Sequence, residues 1–362
     1  MENNLINIVN KFSIEETPLF VESHGNGNIN ETYKVLTNVQ DRSYILQRKN
    51  SLIFKNIPRM MQNIKSVTEH ILDKSENDAV FPIDNLKIYD CRDGKPFVMD
   101  NGEFWVLTNY IPYSITFEKA ENHALAQKAG KGIGKFHSLL SDFQGELYQT
   151  IKGFHDLGYR FKQWDECIKK DKAERLVSVK EEVEKLNKRR NVIARFNKMI
   201  ESGFLPKRVT HNDTKIGNVL FNNSNEVICV IDFDTVMTST WINDFGDAIR
   251  TFTCTASENE KDLEKVLFDP EMFKAYTEGY LSEVKDALSQ TEKENLYFAG
   301  IFITFEQALR FLMDYIDGDT YYKIDYPEHN LVRARNQIKL LEELERNECL
   351  MREVIENKLN NI

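Results

Sequence analysis

Residues 211–234, HNDTKIGNVLFNNSNEVICVIDFD, constrain this chain more than any other stretch. Two short runs, VLFN at 219–222 and EVICVIDFD at 226–234, read as β-strands in surroundings that are otherwise helical. Paired as a hairpin, they bring Asn218, just before the first run, to the same end as Asp232 at the close of the second. Ahead of them, HNDTKIGN sets Lys215 two residues after Asp213 and Asn218 five residues after it. An ordinary turn asks for Asn, Asp or Gly and has no use for a Lys at a fixed offset from an Asp.

The rest of the chain divides around residue 111. Leu5, Ile8, Val9 and Phe12 share one helical face. LFVES, ETYKVLT and SYILQRK read as strands, with the Gly/Asn loop HGNGNIN between the first two. A helix carrying Met61, Ile64, Val67, Thr68 and Ile71 follows Pro58, and LKIYD and FWVLTNYI read as further strands flanking CRDGKP. After Pro112 helical patterns dominate, including a segment at 121–142, one charged helix from about 164 to 200, and a tail from Pro327. The expected class is α+β, with a β-rich lobe at 1–110 and a mainly helical lobe at 111–362.

The 362 residues suffice for two lobes, and a 41% hydrophobic content can fill a core for each. Forty-seven basic against 57 acidic residues leave a net charge of −10, which argues against a general nucleic-acid binder. The N-terminus has no basic start followed by an apolar stretch, and no run approaches 18 uninterrupted apolar residues. The five cysteines are scattered without a C-x-x-C pair, as reduced thiols would be. The expectation is a soluble, cytoplasmic protein with no membrane partner; the oligomeric state is left open.

The polar octet carries chemistry. Moving a phosphoryl group from ATP to a hydroxyl needs a carboxylate for the proton, a cation for the moving group, and magnesium bridging the phosphates. Magnesium keeps part of its water shell, so one Asp and one Asn carbonyl are enough protein ligands. Asp213 suits the base, Lys215 the cation, and Asn218 with Asp232 the metal. His211 suits a brace for the loop. The literal D-F-G at 244–246 is set aside as a metal motif because Asp232 already follows the relevant strand; Asp244 suits a helix N-cap or a brace for the loop.

H-x-D-x-K-x-x-N followed by a strand-borne Asp resembles the protein-kinase-like superfamily. HND, GN and IDFD resemble its small-molecule branch, the aminoglycoside phosphotransferase family. HNDTK, VIDFDTVM and DFGDAIR are together similar to the N-acetylhexosamine 1-kinases, as are the later RFLMDYIDGDTYYKI and HNLVRARNQ. The resemblance runs from the Gly/Asn loop to about Leu341. It implies a two-lobed protein-kinase-like fold, ATP and Mg²⁺ as cofactors, and a small-molecule sugar as acceptor, phosphorylated at its anomeric hydroxyl.

The nucleotide is expected in the first lobe. Gly25, Gly27 and Asn28 would let loop backbone approach the phosphates. On SYILQRK, Gln47, Arg48 and Lys49 compete for the phosphate-binding position. Arg48, alternating with Leu46 and able to donate two hydrogen bonds, is favoured; Glu69 could pair with it, although a solvated helix charge is the simpler account. Asn109 and Ile111 in TNYIP would flank the base by fold analogy. For the acceptor, Glu306, Arg310 and Asp314 share a helix face, and the resemblance turns Arg310 toward the sugar. Asp317 is a turn residue first and an acceptor-site residue second. Competing readings are a kinase for another small alcohol or an aminoglycoside, and, from another class, a nucleotide-binding regulatory pseudokinase. A protein kinase lacks support, because no A-P-E segment is present.

Overall fold

The structure is a computed structural model that describes residues 2–25, 29–75 and 86–361. Gly27 and Asn28 lie outside the described residues. Two compact units form. The first takes in 1–116, 139–152 and 217–238, and the second 117–138, 153–216 and 239–362.

In chain order the elements begin with α1 (Glu2–Val9), β1 (Pro18–Ser23), β2 (Glu31–Thr37), β3 (Tyr44–Lys49) and α2 (Ile57–Ser75). Then come β4 (Ile88–Tyr89), β5 (Val98–Asp100), β6 (Glu103–Asn109), α3 (His123–Leu139), α4 (Leu157–Lys170) and α5 (Lys180–Glu201). Short strands β7 (Arg208–Thr210), β8 (Val219–Phe221) and β9 (Val227–Val230) follow. The chain ends in α6 (Trp241–Phe252), α7 (Pro270–Val284), α8 (Gln290–Asn295), α9 (Ala299–Ile316), α10 (His329–Arg346) and α11 (Glu348–Asn361).

In the first unit an antiparallel sheet runs β1-β2-β3-β6-β4, and β5 also pairs with β6. Because side chains alternate across a strand, each strand contributes to two environments. Val21, Val35, Leu46, Trp105 and Leu107 pack against Leu5, Ile8, Val9 and Phe12 of the N-terminal helix and the turn after it. The opposite parity, Ile45, Gln47 and Lys49 on β3 with Val106 and Thr108 on β6, looks into a cavity. Met61 and Ile64 of α2 and Leu220 and Ile231 of the β8–β9 hairpin line the same cavity.

The second unit is helical. At Gly246 in α6, a Cβ would come within 2.4 Å of the Ala299 carbonyl oxygen, so only glycine lets α6 approach α9 this closely. The glycine of the literal D-F-G is thus a packing residue. Thr240 caps α6, its side chain accepting from the Ile242 N–H, so Asp244 lies inside the helix and the N-cap expectation is corrected. The single charged helix expected at 164–200 is two helices. Asp171 ends α4 in the left-handed region (φ 39°), and its Oδ1 accepts from the N–H groups of Arg175 and Leu176, which turns the chain. Among the described residues one stretch, Gln290–Ile316, is long and apolar enough to cross a membrane; 83% of its apolar window is buried inside the fold.

Candidate active site

The hairpin joins its two predicted metal ligands at one end. Val219 pairs with Val230 and Leu220 with Cys229, and the Ile231 N–H donates to the Asn218 carbonyl at 2.9 Å. Asp232 follows directly. It adopts the left-handed conformation (φ 68°), which Asp tolerates better than most residues, and starts the tight turn Phe233–Thr235. Its side chain is exposed, Asn218 is buried, and both line the cavity. Among the described residues no group of three His, Cys, Asp or Glu side chains could hold a metal alone. One carboxylate beside one amide oxygen, completed by phosphates and water, is a donor set that suits magnesium.

The cavity has a volume of about 420 Å³, within the range of small-molecule sites. Gly25, Asn109 and Ile111 line it. Gly25 has φ +73° and nothing within 4 Å of where a Cβ would stand, so backbone freedom, not crowding, favours glycine there. The apolar wall is Ile45, Met61, Ile64, Val106, Ile111 and Leu220, and the polar end holds Lys49, Asn218, Asp232 and Asp234.

The phosphate-binding expectation for Arg48 requires correction. Arg48 shares the parity of Leu46, and Leu46 belongs to the core under α1. The guanidinium pairs with Glu31 and, at 3.3 Å, with Glu103, and Arg48 does not line the cavity. Lys49 does, with its ammonium 2.6 Å from Asp234 Oδ1 and 2.8 Å from Gln47 Oε1. Glu69 is a solvated helix charge, 61% exposed and 3.8 Å from Lys65.

In the second unit, the loop after β7 carries Asp213 and Lys215, whose side chains meet at 2.8 Å. Its backbone is held from α6. The Asp244 carboxylate accepts from the N–H groups of His211 and Asn212, both at 2.7 Å, while Asn212 takes φ 64°. The Thr214 hydroxyl donates to the Asp244 carbonyl at 2.7 Å, and the Thr214 N–H to Asp247 Oδ2 at 3.0 Å. His137 of α3 stands 2.7 Å from Asp244 through Nε2 and 2.9 Å from the Tyr280 hydroxyl through Nδ1. Burial pushes the His137 imidazole below its ordinary value, so it is neutral, donating to Asp244 and accepting from Tyr280. Burial opposes charge on Asp244, but the hydrogen bonds it accepts from His137 and from the His211 N–H help hold its carboxyl below the usual range. His211 is wholly buried, edge-on to Phe136, as a bracing residue would be. His137, Tyr280 and Asp247 escaped the sequence reading. His137 and Tyr280 lie tens of residues from the octet, with no local signal linking them to it.

Around Arg310 the second unit builds a charged, aromatic corner. The guanidinium lies 5.3, 5.8 and 5.6 Å from the ring centres of Phe154, Tyr321 and Tyr322 and donates to Gln307 at 3.3 Å. Glu306, one turn earlier, is buried, with His155 Nδ1 at 2.7 Å and Arg160 Nε at 3.5 Å. Burial alone would push its carboxyl up; His155, Arg310 and Arg160 together hold it at about 2. Asp314 shapes the corner by accepting from the N–H groups of Thr320, Tyr321 and Tyr322 at 2.8–2.9 Å and from Asn330. Asp317 pairs instead with Lys172, at 3.7 Å. From the loop, Asp247 leads to Arg250, and Arg250 to Glu258 at 2.6 Å.

Comparison with known proteins agrees with this architecture. Over 97% of its length the chain is similar to a microcompartment-associated aminopropanol kinase, at 17% identity and a TM-score of 0.63, covering 98% of that structure. It is similar to an aminoglycoside phosphotransferase from Alicyclobacillus acidocaldarius (14% identity, TM-score 0.58, 97% of this chain and 96% of that one). A choline kinase from Streptococcus pneumoniae gives 17% identity and a TM-score of 0.53, with 94% and 97% covered. At these identities the likeness speaks for the fold, which is protein-kinase-like. The family pattern described as "APH: Phosphotransferase enzyme family" matches residues 21–289, most of the chain. This chain belongs to that phosphotransferase family.

Proposed function

We propose that the protein transfers the γ-phosphoryl group of ATP to the anomeric hydroxyl of an N-acetylhexosamine. The supporting observation is the loop at 211–215, with a carboxylate and an ammonium in contact on a backbone anchored to a buried Asp. Asp213 accepts the hydroxyl proton as the acceptor oxygen bonds to the γ-phosphorus. The bond to the β-phosphate oxygen breaks, and ADP carries that electron pair away. Lys215 offsets charge on the transferred group. Lys49 meets the phosphates in the cavity, and Asn109 and Ile111 flank the base. Asn218 and Asp232 would hold magnesium, which would supply positive charge to offset that of the phosphates.

Arg310 supports the choice of acceptor. Aromatic boxes suit cationic amines, but here the protein's own guanidinium fills the box. An aminoglycoside, choline or an amino alcohol would meet a like charge there, which costs binding. A neutral sugar presenting an amide carbonyl would meet a donor. An anomeric hydroxyl is also the most acidic on a sugar and well matched to a carboxylate base. The pseudokinase alternative is opposed by the complete set of Asp213, Lys215, Asn218 and Asp232, with Lys49 supplying the strand lysine.

ADP release should be compared for N-acetylglucosamine, N-acetylgalactosamine, glucose, choline and an aminoglycoside, with product position read by phosphorus NMR. The two N-acetyl sugars should react at C1 and glucose should be much poorer, because a site that hydrogen-bonds an amide penalises its absence. Phosphorylation at C6, or preference for a cationic alcohol, would overturn the assignment.

A further inference from the structure

In protein kinases the strand lysine is held by a glutamate on the following helix. Here neither acid of that helix, Glu69 or Asp73, is buried, and Lys49 pairs elsewhere. The buried residues of α2 are Ile57, Met60, Met61, Asn63, Ile64, Val67, Thr68 and Ile71, and Glu69 is solvated. The partner of Lys49 is Asp234, on the tight turn that Asp232 begins; the two side chains are 3% and 6% exposed. Asp234 divides its two oxygens. Oδ1 takes the Lys49 ammonium at 2.6 Å, and Oδ2 accepts from Asn30 Nδ2, also at 2.6 Å. Asn30 Oδ1 in turn accepts from the Asn50 N–H, just beyond β3, at 3.1 Å.

We propose that Asp234 is a positioning residue that replaces the helix carboxylate, setting Lys49 and the end of the Gly/Asn loop from the turn that carries Asp232. A carboxylate on a helix moves with that helix, and lysine position then follows helix position. A carboxylate on a turn two residues from Asp232 holds the lysine whatever α2 does. The phosphate-binding lysine is therefore permanently set, with no displacement of α2 needed to engage it. This proposal rests on the nucleotide-binding assignment of the cavity.

The test measures binding of a fluorescent ADP analogue in EDTA, and turnover across magnesium concentrations. Wild type, Asp234→Asn, Lys49→Met and the double variant are compared, each checked by its melting curve. Asp234→Asn should weaken metal-free ADP binding by roughly tenfold or more, the loss of a charge-assisted hydrogen bond. On the Lys49→Met background the same substitution should change nothing, and excess magnesium should restore none of the lost turnover. The double variant leaves no unpaired buried charge, so its comparison with Lys49→Met decides the matter even if Asp234→Asn alone does not fold. Metal-free binding equal to wild type in Asp234→Asn, or turnover recovered by magnesium, would make Asp234 a metal ligand and overturn the proposal. A wild-type protein that binds no ADP would instead overturn the nucleotide assignment, and this proposal with it.

Discussion

In the proposed mechanism Asp213 has one task that its amide could not perform. Asp213→Asn keeps the size and most of the hydrogen bonding near Lys215 but cannot take a proton. It should lower kcat by about 10²–10⁴-fold with little change in the KM for ATP, as steady-state ADP release would show. Near-normal turnover would remove Asp213 from the mechanism. At this scale the sequence was legible as placement: Asn218 and Asp232 end together on the hairpin and line one cavity, and the side chains of Asp213 and Lys215 meet. It misled at Arg48, because three polar residues in a row (Gln47, Arg48, Lys49) can each be argued onto either face of a strand. Only the packing of α1 over Leu46 settles which parity meets the cavity.

Helix α6 holds the loop at 211–215, and that role has a pH signature. Asp244→Ala would leave the N–H groups of His211 and Asn212, and His137, facing a buried gap. Breaking such a buried charged network costs about 3–5 kcal/mol, so a clear fall in Tm is expected, with activity that added magnesium does not restore. His137 and Asp244 both titrate below their ordinary values of 6.5 and 3.8. For both, the unfolded chain takes up a proton before the folded one, so stability is lost as pH falls. His137 contributes fully above 6.5 and progressively less below it; Asp244 adds its loss below 3.8. Urea midpoints should therefore decline between pH 7 and pH 5, and less steeply in His137→Gln. An equal decline in that variant would show that other groups are responsible.

Ligand binding reaches the whole molecule through mass action. A ligand that binds only the folded state stabilises it, by about 2.7 kcal/mol at one hundred times its Kd. ADP should thus raise the melting temperature of the wild type, and magnesium should add a further increment. In Asp232→Ala the ADP effect should persist while the magnesium increment disappears. Equal increments in both proteins would mean that Asp232 is not a metal ligand. The acidic balance of −10 works at this scale as well, since it favours solubility over adhesion to polyanions.

Much of the molecule was written locally. The spacing of Leu5, Ile8, Val9 and Phe12, the alternation in β3 and β6, and the octet before VLFN each encode an outcome within a dozen residues, where periodicity and turn chemistry act. The α+β class and the shared end of the β8–β9 hairpin could be read for that reason. The break between α4 and α5 could not, because it depends on Asp171 folding back onto two backbone N–H groups instead of continuing a charged helical pattern. Nor could the partner of Lys49, the brace on His211 and Asn212, or the aromatic box around Arg310. Lys49 and Asp234 lie 185 positions apart and the braced N–H groups 33 and 32 from Asp244, while the box around Arg310 needs Phe154 brought onto a distant helix. A single sequence states which groups can bond; only the packed chain decides which of them meet.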